Sequence, residues 1–374
     1  MKRIAVLSSG GDAPGMNPAI RAITKASLSR YGLLVYGIKG GFAGLAELAE
    51  LVERVGAERV RQEMQSKMGL MGLTDDDLPI FRLTYRAVHG IARQGGTILG
   101  SARFPEFRKA SLRRRVGEAL KEVGIEGLIV MGGDGSLRGA QALSREMGIP
   151  AVGLPASIDN DIAATDMSIG VDTARNTAVN AINMIMDTAD SLHRTFVVEV
   201  MGNRCGDLAL MSALATGADA LIIPEQGPLA ESDLERIGEH LRQGYLRGKK
   251  RGIVVVAEGA RMKGRDGERA TVALGRSLQQ KAKLFDPRVV ILAHIQRGGS
   301  PTAFDRILAA RMSDVAVKKL STMKPKDKAV VVLLKNNVIV TQPLEKALLR
   351  SSDRVIQFRK RISQLYELFQ CLSE

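Results

Sequence analysis

The amino-acid sequence predicts an α/β fold with doubly wound, parallel sheets. Short apolar segments alternate along the chain with longer amphipathic segments, and most of the apolar ones carry β-branched residues throughout. Such strands are typical of parallel sheets that helices cover on both faces. Glycine-rich loops follow several of these segments, at the strand ends where folds of this class bind their ligands.

The alternation assigns most of the chain to individual elements. The predicted strands lie at residues 4–7, 33–38, 127–130, 151–154, 196–200, 221–223, 253–256 and 289–293. The predicted helices lie at residues 17–29, 105–123, 136–147, 173–190, 207–215, 231–245, 271–284 and 303–320.

Two stretches fit this alternation less well. Residues 45–88 show no clear strand pattern, although 50–67 have helical character and 74–77 are typical of a turn. Residues 344–374 carry arginines among apolar side chains, which predicts a docked amphipathic helix. The length of 374 residues allows one large domain or two smaller ones.

Composition excludes several classes of protein. No apolar run approaches the ~18 residues of a membrane span, and the start of the chain does not read as a secretory leader. The only cysteines are Cys205 and Cys371, which excludes a disulfide framework and favours a reducing cytoplasm.

The charge of +14 leaves three interpretations open. Lys plus Arg number 54 against 40 Asp plus Glu, which is compatible with nucleic-acid binding, a phosphate-rich substrate or a solvated basic surface. Aromatic residues make up only 4% of the chain and Trp is absent. Stacking platforms for single-stranded nucleic acid are therefore scarce.

The loop after the first predicted strand contains Ser9, Gly10, Gly11 and Asp12. Glycines between a strand and a helix let backbone N–H groups approach a phosphate, which the helix N-terminus also attracts. The loop lacks the Gly-Lys-Ser/Thr of a P-loop. A tight turn without a ligand is the alternative interpretation.

A second loop of this kind reads Gly132-Gly133-Asp134-Gly135-Ser136. Its glycine spacing does not match the dinucleotide fingerprint. A carboxylate in a glycine turn suits a magnesium–phosphate complex, because Mg²⁺ prefers one or two carboxylates plus phosphate oxygens. An Asx turn or helix N-cap is the alternative.

A third loop carries Ser157, Asp159 and Asp161. Two carboxylates beside a hydroxyl suit base and metal chemistry on a hydroxyl nucleophile, although Asp and Asn are also common turn formers. All three loops follow predicted strands, at the end where doubly wound folds bind ligands.

Arginines near strand ends add a possible phosphate-binding set. Arg binds phosphate through two parallel hydrogen bonds, whereas a single Arg is more commonly a surface charge. His294 lies close to one of them, which favours phosphate binding there. The arginines are Arg103, Arg194, Arg288 and Arg297.

Together these motifs resemble the bacterial type of the ATP-dependent 6-phosphofructokinase family. The resemblance covers residues 2–320 and rests on segments 9–17, 100–103, 132–136, 155–161, 198–202 and 294–301. It implies two Rossmann-like domains with the active site in the cleft between them. Residues 1–170 plus about 296–343 would bind nucleotide, 171–295 plus about 344–374 would bind sugar phosphate, and 46–94 would be an extended insertion.

The resemblance implies transfer of the γ-phosphoryl group of ATP to the 1-hydroxyl of fructose 6-phosphate, a committed step of glycolysis. Asp159 would be the base, and Ser157, where the family commonly has Thr, would hydrogen-bond the moving group. Asp134 would hold Mg²⁺, while Gly11 and Arg103 would stabilise phosphate charge. Further ATP contacts are implied at Phe104, Gly133, Gly135, Ser136 and Gly139.

The resemblance also implies where the sugar phosphate binds. Asp161, Met201 and Glu258 would contact the sugar, and His294 and Arg297 its 6-phosphate.

Other implied contacts join subunits. Arg194 and Arg288 would reach the 6-phosphate of a neighbouring subunit, so the active form would be an oligomer, usually a homotetramer. An effector site for a nucleotide diphosphate or phosphoenolpyruvate would include Arg21, Lys25, Glu225, Arg247 and Lys249.

Two sequence features within the family bear on the phosphoryl donor and on catalytic activity. Gly135 and Ala156 stand where the pyrophosphate-dependent branch typically has Asp and Lys, which predicts ATP as the donor. The family's Met-Gly-Arg sequence reads Met201-Gly202-Asn203 here. The arginine expected directly after the glycine is therefore displaced by one position. The alternative function is therefore a catalytically weak regulatory subunit or paralogue. A nucleic-acid-binding protein on this fold is supported only by the charge of +14, and a nicotinamide or lipid kinase does not fit the other loops.

Overall fold

The computed structural model of the protein describes residues 1–65, 78–265, 267–280, 285–348 and 351–373, with the backbone alone at 351–361. The chain divides into two compact units. Unit 1 comprises Met1–Ser157, Ile162–Gly170 and Gly299–Leu349, and unit 2 comprises Ile158–Asp161, Val171–Gly298 and Arg350–Glu374. The chain enters each unit more than once, so neither is a continuous stretch of sequence.

Strands and helices alternate along most of the described chain. The strands are β1 (Arg3–Ser9), β2 (Leu34–Ile38), β3 (Ile80–Leu83), β4 (Gly127–Gly132), β5 (Ala151–Pro155), β6 (Thr195–Val200), β7 (Ala220–Ile222), β8 (Gly252–Ala257), β9 (Arg288–Ile291), β10 (Val330–Lys335) and β11 (Val338–Pro343). The helices are α1 (Met16–Arg30), α2 (Phe42–Val55), α3 (Ala57–Gln65), α4 (Ala110–Glu122), α5 (Asp134–Met147), α6 (Val171–Leu192), α7 (Asp207–Thr216), α8 (Glu231–Leu246), α9 (Ala270–Gln279), α10 (Ala303–Thr322), α11 (Leu344–Ala347) and α12 (Ser351–Ser373).

Unit 1 is built on a seven-stranded sheet in the order β11-β10-β5-β4-β1-β2-β3. The strands from β10 to β2 run parallel, whereas β3 and β11 are antiparallel edge strands. β4 is buried along its whole length because its sequence, GLIVMG, presents apolar or small side chains to both faces. The core includes the stacked rings of Phe42 and Phe107, whose centroids lie 4.0 Å apart.

Unit 2 is built on a parallel four-stranded sheet in the order β7-β8-β6-β9. Alternate residues of β6 belong to different cores, Val198 to one that includes Phe369 of α12 and Val197 to one that includes Leu274 of α9. Since neighbouring side chains of a strand point to opposite faces, helices cover this sheet on both sides. In the described part of the chain, no helix has an apolar stretch of the length that a bilayer requires.

The predicted α/β class with parallel sheets is confirmed, and the structure corrects three local details. Strand β9 is not buried on both faces, since the Val289 side chain is 44% exposed, whereas β7, the other edge strand of the sheet, is buried along its length. Residues 105–123 form a short 3₁₀ helix (Pro105–Arg108) and then α4, separated by extended Lys109. The helical character predicted for residues 50–67 is confirmed at 50–55 and 57–65, in two helices separated at Gly56, whose φ is 84°; residues 66 and 67 lie outside the described residues.

The structure also contains strands that the sequence pattern did not predict. β3 is a short edge strand within the stretch 45–88, and β10 and β11 form a hairpin. Asn336 and Asn337 connect the hairpin with φ values of 49° and 62°, a left-handed pair that Asn tolerates in tight hairpin turns. The turn predicted at 74–77 and the helix end predicted at 281–284 lie outside the described residues.

Candidate active site

Two of the predicted loops and the loop that carries Arg103 are hydrogen-bonded to one another in unit 1. The Ser136 hydroxyl, at the start of α5, donates to the Ser9 carbonyl at the end of β1 over 2.8 Å. The Gly10 N–H donates to the Ala102 carbonyl (3.1 Å), and the Ser101 hydroxyl donates to the Gly10 carbonyl (3.0 Å). The loops after β1 and β4 and the arginine-bearing loop therefore form one surface at the carboxyl ends of the sheet.

A fourth loop, after β5, joins this surface. The Ala156 N–H donates to the Gly132 carbonyl over 3.1 Å. A Cβ atom placed on Gly133 would lie 3.8 Å from the Ser157 hydroxyl oxygen. Ser157 therefore faces the glycine turn that precedes α5.

Gly132 and Gly135 belong to this surface, and the structure gives a different reason for glycine at each position. Gly132 has a φ of 158°, and a Cβ there would lie 2.3 Å from the Ser9 carbonyl oxygen, so close approach of two backbones requires it. Gly135 has ordinary helical conformation, and in the described part of the chain no atom beyond its chain neighbours and its own helix backbone lies within 4 Å of a Cβ placed on it. The space above Gly135 is therefore open, as the predicted nucleotide needs.

Asp134 is the predicted metal ligand, and it begins α5. Its carboxylate accepts two hydrogen bonds from Arg138, one turn later, from Nε at 2.8 Å and from Nη2 at 3.1 Å. The Asp134 side chain is 16% exposed. The carboxylate is thus held at the helix start with part of its surface open to solvent.

The remaining predicted nucleotide residues differ in their surroundings. Arg103 is exposed and Gly11 and Phe104 are partly buried, so each is accessible from the loop surface. Gly139 instead packs inward: a Cβ there would lie 2.8 Å from the Phe42 ring. Core packing therefore accounts for the glycine at 139 without any ligand.

Asn17, which the predicted site did not include, positions the arginine-bearing loop. Its side-chain amide donates to the carbonyls of Gln94 (3.3 Å) and Gly95 (3.0 Å), and its oxygen accepts from the Ile98 N–H (2.7 Å). Asn17 is 1% exposed. A buried, fully bonded polar side chain at the start of α1 ties that helix to the segment that leads into Arg103.

The segment Ile158–Asp161 belongs to unit 2 and carries both predicted carboxylates. Asn160 is fully buried with a φ of 49°, and its carbonyl lies 4.0 Å from the Cys205 sulfur. One carboxylate oxygen of Asp159 and one of Asp161 are buried from solvent. The left-handed turn at Asn160 separates the two carboxylates.

The loop after β6 is held from both neighbouring strands. The Met201 N–H donates to the Gln296 side chain (2.9 Å), and the Asn203 N–H donates to the Glu258 carboxylate (2.6 Å). Gln296 is fully buried, and the predicted site did not include it. Asn203 has a φ of 54°, and it and Arg204 are exposed. The structure thus brings Met201 and Glu258 together at the carboxyl ends of β6 and β8.

His294 and Arg297 lie in the short 3₁₀ helix Ala293–Arg297 that follows β9. His294 is exposed, and Arg297 is partly buried. Gln296 between them anchors the segment to Met201. His294 and Arg297 therefore share the carboxyl edge of the unit 2 sheet with the loop after β6.

Arg194 and Arg288 lie at the amino ends of the strands of the same sheet. Arg194 immediately precedes β6, and Arg288 begins β9. β6 has six residues, which span about 20 Å. The structure therefore does not bring these arginines together with Met201, His294 and Arg297 within one copy of the chain.

Both arginines bind one carboxylate that the predicted site did not include. Arg194 Nε donates to one oxygen of Asp286 (2.5 Å), and Arg288 Nη1 donates to the other (2.7 Å). The hydrogen bond from Arg194, with the attraction of both guanidinium groups, holds the pKa of Asp286 below its usual range.

The predicted effector residues lie in both units. Arg21 and Lys25 are on α1 of unit 1. In unit 2, Glu225 is 6% exposed and accepts from the Gly206 N–H (2.8 Å), and Lys249 donates to Asp219 (2.9 Å). Glu225 thus also braces the start of α7. Arg247 follows the end of α8.

A cavity of about 610 Å³ lies away from all of these loops. It runs beside β7, between α8 and α12, and its lining includes His240, Arg236 and Tyr366. None of the residues predicted for catalysis or for ATP lines it. This cavity is therefore lined by a different part of unit 2 from the candidate site.

Hydrogen-bonded glycine loops at the carboxyl ends of a parallel sheet, with a carboxylate at a helix start, are typical of α/β proteins that bind phosphate groups. The family model for phosphofructokinase matches residues 3–320. This chain belongs to the phosphofructokinase family.

Individual relatives match almost the whole chain. The ATP-dependent 6-phosphofructokinase of Halothermothrix orenii is 45% identical over 352 residues, 93% of this chain and 94% of that protein. The protein of the same name from Staphylococcus epidermidis is 41% identical over 374 residues, 100% of both. The solved phosphofructokinase of Saccharomyces cerevisiae has a TM-score of 0.82 at 32% identity, covering 99% of this chain and 50% of that one. This chain thus spans about half of the yeast chain.

Proposed function

We propose that the chain is an ATP-dependent 6-phosphofructokinase, which transfers the γ-phosphoryl group of ATP to the 1-hydroxyl of fructose 6-phosphate. One observation carries the proposal: the loops after β1, β4 and β5 and the loop before Arg103 are hydrogen-bonded into one surface. The names of relatives matched over 94% and 100% of their length support these two substrates.

Asp159 and the residues of the loop surface have complementary tasks in the proposed reaction. Asp159 accepts the proton of the attacking hydroxyl as a general base. The Gly11 N–H and the Arg103 guanidinium stabilise charge on the transferring group, and the Ser157 hydroxyl hydrogen-bonds it. Phosphoryl transfer depends mainly on such positioning and charge stabilisation, which a set of mutually bonded loops provides before substrate arrives.

We propose Asp134 as the ligand of a magnesium ion. It offers one partly exposed carboxylate at the start of α5, and Mg²⁺ is commonly held by one or two carboxylates plus phosphate oxygens. Across the described ranges, no three His, Cys, Asp or Glu side chains gather into a metal site, so nucleotide and water would complete the shell. When bound, the ion neutralises charge on the phosphates.

We propose a homotetramer in which Arg194 and Arg288 serve the 6-phosphate bound by a neighbouring copy. Both arginines lie at the amino ends of the unit 2 strands, about 20 Å from the carboxyl ends. This distance supports binding to a neighbouring copy. The exposed apolar side chains Val289 (44%) and Ile291 (48%) beside Arg288 support a protein partner at β9. Binding of a nucleotide diphosphate or phosphoenolpyruvate between copies, at the predicted effector residues, belongs to the same proposal.

We propose a cytoplasmic location for the enzyme. Both cysteines are free thiols, with Cys205 buried and Cys371 exposed, which suits a reducing compartment.

The direct test measures ADP release by the purified protein with Mg²⁺-ATP and a panel of sugar phosphates. We expect turnover with fructose 6-phosphate and at least about 10²-fold less with glucose 6-phosphate, since the attacking hydroxyl must be correctly placed. Turnover with pyrophosphate and none with ATP would contradict the proposed donor.

The exposed Asn203 keeps a second candidate function in view, a regulatory subunit that binds sugar phosphate without catalysis. The position after Met201-Gly202 lacks the family cation. Calorimetric binding of fructose 6-phosphate with no ADP release would favour this candidate over the enzyme.

A further inference from the structure

Asp286 joins two arginines that come from distant parts of unit 2. Its two carboxylate oxygens accept separately from Arg194 (2.5 Å) and from Arg288 (2.7 Å). Arg288 Nη1 also donates to the Pro287 carbonyl (3.0 Å). Each guanidinium is therefore fixed by a directed, charge-assisted bond.

The sheet register explains why one carboxylate can reach both. Phe196 of β6 pairs with Arg288 of β9 in parallel, so Arg194, two residues before Phe196, lies beside the start of β9. Asp286 has a φ of 37°, a left-handed conformation that non-glycine residues adopt at a cost. This turn aims its side chain between the two arginines.

The contacts leave both arginines able to bind a further anion. A guanidinium has five N–H donors, and the described bonds to Asp286 use Nε of Arg194 and Nη1 of Arg288. The side chains remain 29% and 44% exposed. Asp286 also places a negative charge between two positive ones, which would otherwise repel each other.

We propose that Asp286 is a positioning residue that holds Arg194 and Arg288 at the spacing and orientation needed to bind the phosphate of fructose 6-phosphate in a neighbouring copy. The inference rests on the proposed function. Asp286 itself does not touch the substrate, and it acts only through the two arginines.

A charge effect and a positioning effect of Asp286 predict opposite changes in phosphate affinity when its carboxylate is removed. Asp286→Asn raises the local charge by one, so simple attraction would bind the phosphate more tightly. Positioning predicts weaker binding, because the two guanidinium groups separate. The direction of the change in half-saturation therefore distinguishes the two explanations.

The test compares steady-state kinetics of Asp286→Asn, Asp286→Glu and a control, Asp190→Asn. Asp190 pairs with Arg251 (2.6 Å) at the end of the neighbouring helix α6, so its variant makes the same charge change without touching either arginine. For Asp286→Asn we expect half-saturation by fructose 6-phosphate to rise on the order of 10-fold, as for other lost orienting groups. The KM for ATP and kcat should stay within about 2-fold, as uniform substrate binding is what is lost.

The variants also separate positioning from general damage. Asp286→Glu retains the charge and should recover part of the affinity, and Asp190→Asn should match wild type. In an Arg194→Ala, Arg288→Ala background, Asp286→Asn should have no further effect, because the groups it acts through are gone.

Each contrary result has a distinct meaning. An active wild type with unchanged or tighter half-saturation in Asp286→Asn overturns this inference alone, as does an equal loss in Asp190→Asn. If Asp286→Asn does not fold, unchanged half-saturation in folded Asp286→Glu overturns it. A wild type that releases no ADP with fructose 6-phosphate overturns the proposed function, and this inference with it.

Discussion

Asp159 lies two residues after Ser157 and two before Asp161, with one carboxylate oxygen buried. Asp159→Ser should lower kcat by at least about 10²-fold, the scale of a lost general base, while ATP binding is retained. Asp187→Ser, which removes an exposed carboxylate of α6, should match wild type. Turnover of Asp159→Ser near the wild-type value would remove this residue from the mechanism.

Asn203 holds the position where the family has Arg, and its backbone is bonded to Glu258. The Cys205 N–H also donates to the Gly202 carbonyl (2.9 Å), which fixes the register of the loop. We therefore expect Asn203→Arg to raise kcat by about 10-fold, part of the ~10²–10³ that one preorganised donor supplies. Arg204→Ala should be nearly silent. A sharp loss of turnover in Arg204→Ala would show instead that Arg204 supplies the missing charge.

At the residue scale, sequence reasoning proposed groups whose chemistry is visible in one loop and did not include groups whose contacts join distant segments. Asp134 could be predicted because its glycine turn surrounds it in sequence. Asp286 could not, because its partner Arg194 is 92 residues away. Gln296 and Asn17 are buried polar side chains, and burial of a polar residue is not readable from its neighbours in sequence.

Helix α5 offers a matched pair of glycines. Gly135→Ala adds a methyl group in open space, so stability should hold or rise by about 0.5–1 kcal/mol, as for Gly to Ala in a helix. Its KM for ATP should rise on the order of 10-fold, about 1.4 kcal/mol, since the methyl group occupies the phosphate approach. Gly139→Ala should lose about 1–3 kcal/mol of unfolding free energy by overpacking the Phe42 ring.

Urea unfolding measures the stability of Gly135→Ala and Gly139→Ala, and ATP titration measures their affinity for the nucleotide. Loss of stability in Gly135→Ala, with ATP affinity unchanged, would show that Gly135 has a packing role rather than a binding role.

At the element scale, periodicity and β-branching located the central strands because both faces of those strands are buried. The same argument misjudged β9, whose sequence looks buried but whose Val289 and Ile291 side chains are exposed, whereas β7, at the other edge of the sheet, is buried. The hairpin β10–β11 had a local signal, the Asn336-Asn337 turn, that periodicity alone did not use. Whether another element covers the face of a strand depends on distant parts of the chain, which local sequence does not contain.

For the whole molecule, shared active sites predict complementation between inactive variants. Asp159→Ser lacks the base of its own site, and Arg288→Ala lacks an arginine that serves the neighbour's site. A hybrid of the two contains a site with every group intact, so mixing them after reversible dissociation should restore part of the activity. The readout is ADP release from hybrids verified by mass.

The matched control mixes Asp159→Ser with Arg297→Ala, both assigned to the same copy's site. No site in that hybrid is complete, and activity should stay absent. Equal recovery in the two mixtures, or none in either, would contradict sites shared through Arg288.

The divided course of the chain through unit 1 has a consequence for its synthesis. β10 pairs with β5 through Val330 and Val152, so about 180 residues must be translated after β5 before its neighbour exists. At about 5–20 residues per second, β5 remains without its neighbour β10 for roughly 10–35 s while the chain is still on the ribosome. During that time its unpaired backbone groups can associate with other nascent chains. Yield in a cell should therefore depend on how well chaperones cover that edge, and less on the equilibrium stability of the finished protein.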